Sequence, residues 1–140
     1  MILAQIKDYQ KQADDDRIEL HYDQNDVIVN ADKARITQVI ANLLRNAINF
    51  TEGGGPISIT ANTNNQQVII SIRDTGSGIS PEIYPKLFTK FVTKSKKGTG
   101  LGLFISRSII EAHGGRIWAE NNKEGKGARF SFTLQLVRDS

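Results

Sequence analysis

The chain has 140 residues, enough for one domain with a sizeable core, and carries 18 Lys and Arg against 15 Asp and Glu for a formal net charge of +3. A hydrophobic content of 39% with 24% charged residues is unlike a disordered chain, no apolar run approaches the roughly 20 residues of a membrane span, and "MILAQIKDYQ" is too polar for a signal peptide. Cysteine is absent, which excludes a disulfide framework and a thiolate metal site, and so small a net charge gives little reason to expect nucleic acid or another polyanion as partner.

In chain order, Ile2, Leu3, Ile6, Tyr9 and Ala13 recur at helical spacing until Asp14, Asp15 and Asp16 interrupt them, which predicts the tail of a helix. Residues 17–22 and 27–30 have strand character. A long helix follows, with Asn30 or Asp32 as its cap and Ile36, Val39, Ile40, Leu43, Leu44, Ala47 and Ile48 on its apolar side, and the run from Thr51 to Pro56 ends it. Residues 57–63 and 67–73 alternate apolar and polar about an Asn-rich turn and read as a hairpin whose second strand runs directly into Asp74. From there to Gly98 the signals are loop-like, with one short helix at 81–88. Residues 101–113 return to helical periodicity and stop at Gly114 and Gly115, and strands at 116–120 and 128–136 flank a turn at 123–127.

Three groups of residues carry chemistry. "KSKKGTGLGLFIS", residues 94–106, sets Lys94, Lys96 and Lys97 beside Gly98, Gly100 and Gly102 ahead of an apolar run. Bare backbone leading into a helix N-terminus suits a phosphate, and a mobile basic turn has the same composition. The dinucleotide spacing wants Gly where Leu103 stands, and no Gly-Lys-Ser/Thr closes a Walker loop. On the long helix, Asn42, Arg45, Asn46 and Asn49 fall within about a third of a turn of one another. Their amide oxygens could coordinate a hard cation, with Mg²⁺ favoured if a nucleotide supplies phosphate oxygens; a solvated polar stripe would look alike. In "RDTGSGIS", residues 73–80, Asp74 ends an apolar strand and precedes Gly76 and Gly78. Its carboxylate could accept from an exocyclic amine while the glycines leave room for a flat ring, although Asp-Thr-Gly also makes an Asx turn readily. His21 and His113 stand far apart without Cys partners and read as structural, His113 at a helix end that suits a cation. The six Phe and the single Trp fall mostly on expected core positions, so a nucleic-acid stacking platform is a poor reading.

Taken together, "NLLRNAINFT" (42–51), "DTGSGI" (74–79), "LFTKF" (87–91) and "GTGLGL" (98–103), in that order, closely resemble the N, G1, F and G2 boxes of sensor histidine kinases. The resemblance covers about residues 17–136, and "EAHGGRIWAEN" (111–121) is similar to the histidine-kinase branch in particular of a superfamily that includes gyrase B and MutL. It implies the Bergerat ATP-binding fold, an α/β two-layer sandwich in which a mixed sheet of about five strands is covered by three helices. By the family's pattern Asn46 is the main Mg²⁺ ligand and Asn42 supports it. Asp74 takes the adenine amino group, and Gly76, Gly78 and Ile79 shape the base pocket. Phe88 and Phe91 anchor a lid whose lysines, Lys94 and Lys97 among them, meet the ATP phosphates together with Gly98, Thr99, Gly100, Leu101, Gly102 and Leu103. Asn49 stands where many members have Lys or Arg, so Arg45 or a lid lysine would replace that cation.

Family kinases carry the phosphoacceptor histidine on a separate dimerising hairpin, within a box that neither His21 nor His113 matches. The expectation is therefore a catalytic module, residues 14–140, with residues 1–13 as the remnant of a connecting helix. It would be cytoplasmic and monomeric by itself, donating the γ-phosphoryl group of ATP to the histidine domain of a parent kinase with a response regulator downstream. A hydrolytic ATPase of the gyrase B or MutL type is the second reading. Those proteins resemble one another in a Glu four residues before the Mg²⁺ asparagine, where this chain has Asn42. A serine kinase of the anti-sigma-factor type is the third.

Overall fold

A computed structural model describes residues 19–22, 31–51, 55–64, 66–90, 101–123 and 126–136. Five strands, β1 (Glu19–Tyr22), β2 (Pro56–Thr63), β3 (Gln67–Arg73), β4 (Ile117–Asn121) and β5 (Ala128–Gln135), form one sheet in the order β1-β2-β3-β5-β4. β1 runs parallel to β2 and every other pair is antiparallel, so the sheet is mixed, as the resemblance implies. Two α-helices, α1 (Lys33–Phe50) and α2 (Gly102–Ala112), pack against each other and against the sheet.

Sequence periodicity accounts for this layering. Alternation along β3 puts Val68, Ile70 and Ile72 on one face, and β2 adds Ile57 and Ile59, β5 Phe130, Phe132 and Leu134. All are buried with Ile36, Val39, Ile40, Leu43, Leu44 and Ala47 of α1, while Ile48 is partly buried against them. The other rings are less enclosed than their pattern promises: Phe50, Phe88, Phe104 and Trp118 are half-buried, and the Arg116 guanidinium lies 5.4 Å from the Trp118 ring centre.

The helix ends explain how the two helices are tied. Asp32, rather than Asn30, caps α1, its Oδ1 accepting the Arg35 N–H at 3.1 Å. Thr51 closes the other end, its hydroxyl donating to the Ala47 carbonyl at 2.7 Å. At the C-terminus of α2, His113 Nδ1 donates to the Ile109 carbonyl at 2.7 Å and Nε2 accepts the Asp32 N–H at 3.1 Å. That pair of bonds makes the ring a link between the two helix ends.

The helical layer differs from expectation in one place. Instead of a helix over 81–88 there is a three-residue 3₁₀ turn, Tyr84–Lys86. Pro81 would suit the first position of a helix, but Pro85 lies inside it and lacks the N–H that an α-helix would bond to the Pro81 carbonyl, so an α-helix cannot propagate there. The described residues thus hold two α-helices and this turn rather than three helices. The expected helix tail at 1–13 and strand at 27–30 lie outside the described residues, and no helix among those described is long and apolar enough to cross a membrane.

Candidate functional site

Asp74 follows the last residue of β3 and is only 2% exposed. Its N–H donates to the Ala128 carbonyl at 2.9 Å, which extends the β3–β5 pairing by one residue. Its Oδ1 accepts two backbone N–H groups, from Gly76 at 3.0 Å and Ala128 at 3.1 Å. Both bonds fall on one oxygen, which leaves Oδ2 without a partner among the described residues. Burial raises the carboxyl's pKa above the ordinary value of 3.8, and the bonds from Gly76 and Ala128 oppose that rise.

The glycines after Asp74 are needed by the protein's own packing. A Cβ on Gly76 would lie 1.9 Å from the Phe50 carbonyl oxygen, so the loop lies directly on the C-terminal end of α1. Gly78 has φ +79, and a Cβ there would come within 2.9 Å of Asn121 Oδ1. The space that the sequence assigns to a flat ring is thus taken, at these two atoms, by α1 and β4. Ile79 is partly buried against the core beside them.

The asparagines expected as ligands line α1 from its middle to this contact. Asn42 Nδ2 donates to the Gly102 carbonyl and to Ser106 Oγ, both at 3.3 Å, and so bridges α1 to the first turn of α2. Those bonds occupy the nitrogen and leave the amide oxygen. Asn46 is half-buried, and its Nδ2 is buried with no hydrogen-bond partner among the described residues. Orphaned buried donors are rare in folded proteins, so this amide is a candidate contact for a ligand. Asn49 is half-buried and Arg45 exposed. From Asn42 to Phe50 is about 12 Å along the helix axis. One helix therefore touches the α2 N-terminus near one end of this span and the Asp74 loop at the other.

At the start of α2 the backbone is bare for a different reason from Gly76. Leu101 stands at the N-cap position without a side-chain cap, and no acidic residue occupies the first turn. A Cβ on Gly102 would meet only Asn42 atoms at 3.8 Å and beyond, ordinary contact distances. Nothing described in the protein forces glycine there, as a ligand close to the backbone would. Leu103 turns partly into the core. Phe88 packs edge-on against Phe130, ring centres 6.3 Å apart, which ties its segment to β5. Phe91, Lys94, Lys97, Gly98, Thr99 and Gly100 lie outside the described residues.

Several contributors escape sequence reading. Asn121 and Asn122 lie between the strand expected at 116–120 and the turn at 123–127, with no role assigned from sequence, yet their side chains bond Ile79 and Asp74. Lys90 places its Nζ 4.9 Å from the Phe104 ring centre, and Ser106, fully buried, accepts from Asn42. Only the unfavourable placement of a serine on the apolar side of a helix hinted at the last. Among the described residues no three His, Cys, Asp or Glu side chains converge, so a cation held by them would rest on amide and ligand oxygens.

The sequence matches the family described as "Histidine kinase-, DNA gyrase B-, and HSP90-like ATPase" over residues 31–138. It is 43% identical over 116 residues to the sensor protein FixL of Bradyrhizobium diazoefficiens, covering 81% of this chain and 23% of that protein. To the sensor histidine kinase ZraS of Escherichia coli O157:H7 it is 41% identical, over 85% of this chain and 26% of that one. The chain thus spans about a quarter of the length of these curated relatives. Among solved structures, the catalytic domain of the histidine kinase ThkA superposes with a TM-score of 0.81 at 38% identity, covering 93% of this chain and 88% of that chain. Full-length ShkA in complex with AMPPNP gives a TM-score of 0.77 at 29% identity, over 96% of this chain and 29% of that chain.

Proposed function

Because the chain belongs to the histidine kinase-, DNA gyrase B- and HSP90-like ATPase family, we propose that it binds Mg²⁺-ATP as the catalytic domain of a sensor histidine kinase and hands the γ-phosphoryl group to a histidine on another domain. The observation that carries the reading is the buried Asp74 carboxylate, whose Oδ1 is taken by two N–H groups. Oδ2 is the acceptor that remains, and the adenine amino group is a donor of the right kind. A guanine carbonyl in its place would set oxygen against oxygen. ShkA, which shares this fold over part of its length, was solved in complex with AMPPNP, an ATP analogue, and that lends support.

The residues of α1 fit a magnesium ion. Asn42 keeps an oxygen without a partner among the described residues because its nitrogen is engaged with α2, and an amide oxygen is a ligand for a hard cation; the orphaned Asn46 Nδ2 is a donor and suits a phosphate oxygen beside the ion. Magnesium, when bound, neutralises phosphate charge and holds the oxygens for in-line transfer. The uncapped N-terminus of α2, with its bare Gly102, is the complementary element for the phosphates. In the transfer itself an acceptor imidazole nitrogen bonds to the γ-phosphorus as the bond to the bridging oxygen breaks. ADP leaves, and the imidazole proton passes to a base of the acceptor domain.

Asn42 also favours transfer over hydrolysis, since an amide cannot take a proton from water. The test is to incubate the chain with γ-labelled ATP, Mg²⁺ and a histidine-hairpin domain. Acid-labile phosphate on the partner is expected. Rapid release of free phosphate without a labelled partner, or an acid-stable phosphoserine, would overturn the kinase reading in favour of a hydrolase or a serine kinase.

A further inference from the structure

The loop from Asp74 to Ile79 is irregular, and its two ends are held by consecutive side chains at the end of β4. Asn121 Oδ1 accepts the Ile79 N–H at 2.7 Å and Asn121 Nδ2 donates to the Ile79 carbonyl at 3.1 Å. One amide thereby makes the two bonds that a neighbouring strand would make. Asn122 Nδ2 donates to the Asp74 carbonyl at 2.9 Å and to the Lys126 carbonyl at 3.0 Å. Behind it, Gly127 has φ +104, and a Cβ there would stand 2.1 Å from the Asp74 carbonyl oxygen, so the turn and the loop meet backbone to backbone.

The front half of the loop has other holds. Thr75 donates to the Pro56 carbonyl, and Gly76 lies on Phe50. Ser77, Gly78 and Ile79 have no hydrogen bond to the rest of the described fold except through Asn121. Gly78, at positive φ, lies against that amide so closely that a side chain would displace it. We propose that Asn121 is a positioning residue for nucleobase recognition: by clamping Ile79 it fixes the far side of the pocket whose near side is Asp74, and so sets the preference for adenine. The inference rests on the reading of Asp74 as the adenine contact. Asn121 is itself exposed, so its bonds replace bonds to water and contribute less to global stability than to where the loop sits.

The test measures binding of ATP, GTP and inorganic tripolyphosphate, each with Mg²⁺, to the wild type and to Asn121→Ala by calorimetry, with thermal unfolding alongside. Two lost bonds should weaken ATP by about five- to tenfold. The ATP-to-GTP preference should narrow, while tripolyphosphate binding and the unfolding midpoint hold. Should the alanine variant not fold, Asn121→Asp serves. It keeps the acceptor for the Ile79 N–H but sets a carboxylate against the Ile79 carbonyl, and the same selective loss is expected. A parallel fall for ATP and tripolyphosphate, or ATP affinity and selectivity unchanged in a folded variant, would overturn the assignment of Asn121 alone. A wild type without preference for ATP over GTP would overturn it together with the role of Asp74.

Discussion

At Asp74 the fold and the ligand make opposite demands on one carboxyl. Burial raises its pKa, so the ionised form is disfavoured in the folded state relative to the unfolded chain. The stability contributed by this group is therefore fully present below the unfolded value of 3.8 and is lost as pH rises through the raised folded value. At neutral pH the ligand-free protein carries the expense of an ionised carboxylate that adenine would use. Asp74→Asn keeps an oxygen for Gly76 and Ala128 and sheds the charge, but turns a donor toward the place of Oδ2. Its ligand-free unfolding midpoint at pH 7 is expected to equal or exceed that of the wild type, with the difference shrinking toward pH 3. ATP binding should fall at least about tenfold, since a hydrogen bond to a charged group is worth about 1.5–3 kcal/mol. Wild-type affinity should also decline as acid protonates the carboxyl. A variant that unfolds earlier at pH 7 while binding ATP normally would reverse the assignment.

The helix ends separate two kinds of glycine that the sequence writes alike. Gly76 is forced by the Phe50 carbonyl at the end of α1, whereas Gly102, at the start of α2, has ordinary room around it. Gly76→Ala should therefore destabilise the ligand-free domain by about 1–3 kcal/mol, because backbone must move to admit the methyl group. Gly102→Ala should leave stability unchanged or slightly raised, as expected for Ala in a helix, and weaken ATP more than adenosine. Equal midpoints for the two variants would show that the Phe50 contact yields freely. Neither distinction was legible in "DTGSG" or "GTGLG", since the glycine records only that a side chain is absent and not what lies in its place. The elements themselves were legible: the apolar spacing of α1 and the alternation of β2, β3 and β5 each fix a buried face locally. Pairing across long separations was not, so the parallel partner of β1 and the bonds of Asn121 and Asn122 to the two ends of the Asp74 loop emerge only from the fold. The helix foreseen at 81–88 failed because Pro85, inside it, lacks the N–H that an α-helix would bond to the carbonyl four residues before.

For the molecule as a whole, the proposed function raises the question of where a phosphoryl group would go, since the chain spans about a quarter of its curated relatives. A phosphoacceptor must present a free ring nitrogen to the γ-phosphorus within about 3–3.5 Å. His113 cannot do so in this fold: one nitrogen donates to Ile109 and the other accepts from Asp32, with the ring set between the C-terminus of α2 and the N-terminus of α1. His21 belongs to β1 and has Leu20 and Tyr22 as neighbours, without the acid and base of an acceptor box. On the proposed function the domain serves as donor, and we expect it to bind Mg²⁺-ATP without labelling itself. Mass spectrometry under neutral conditions after incubation with ATP should find unmodified His21 and His113, while addition of a histidine-hairpin domain should consume ATP and label that partner. Stable phosphate on His113 would require the junction between the two helices to open, and would be accompanied by loss of the Asp32 cap and a lower unfolding midpoint. Phosphate on His21 with the midpoint unchanged would instead mean that this domain serves as both donor and acceptor.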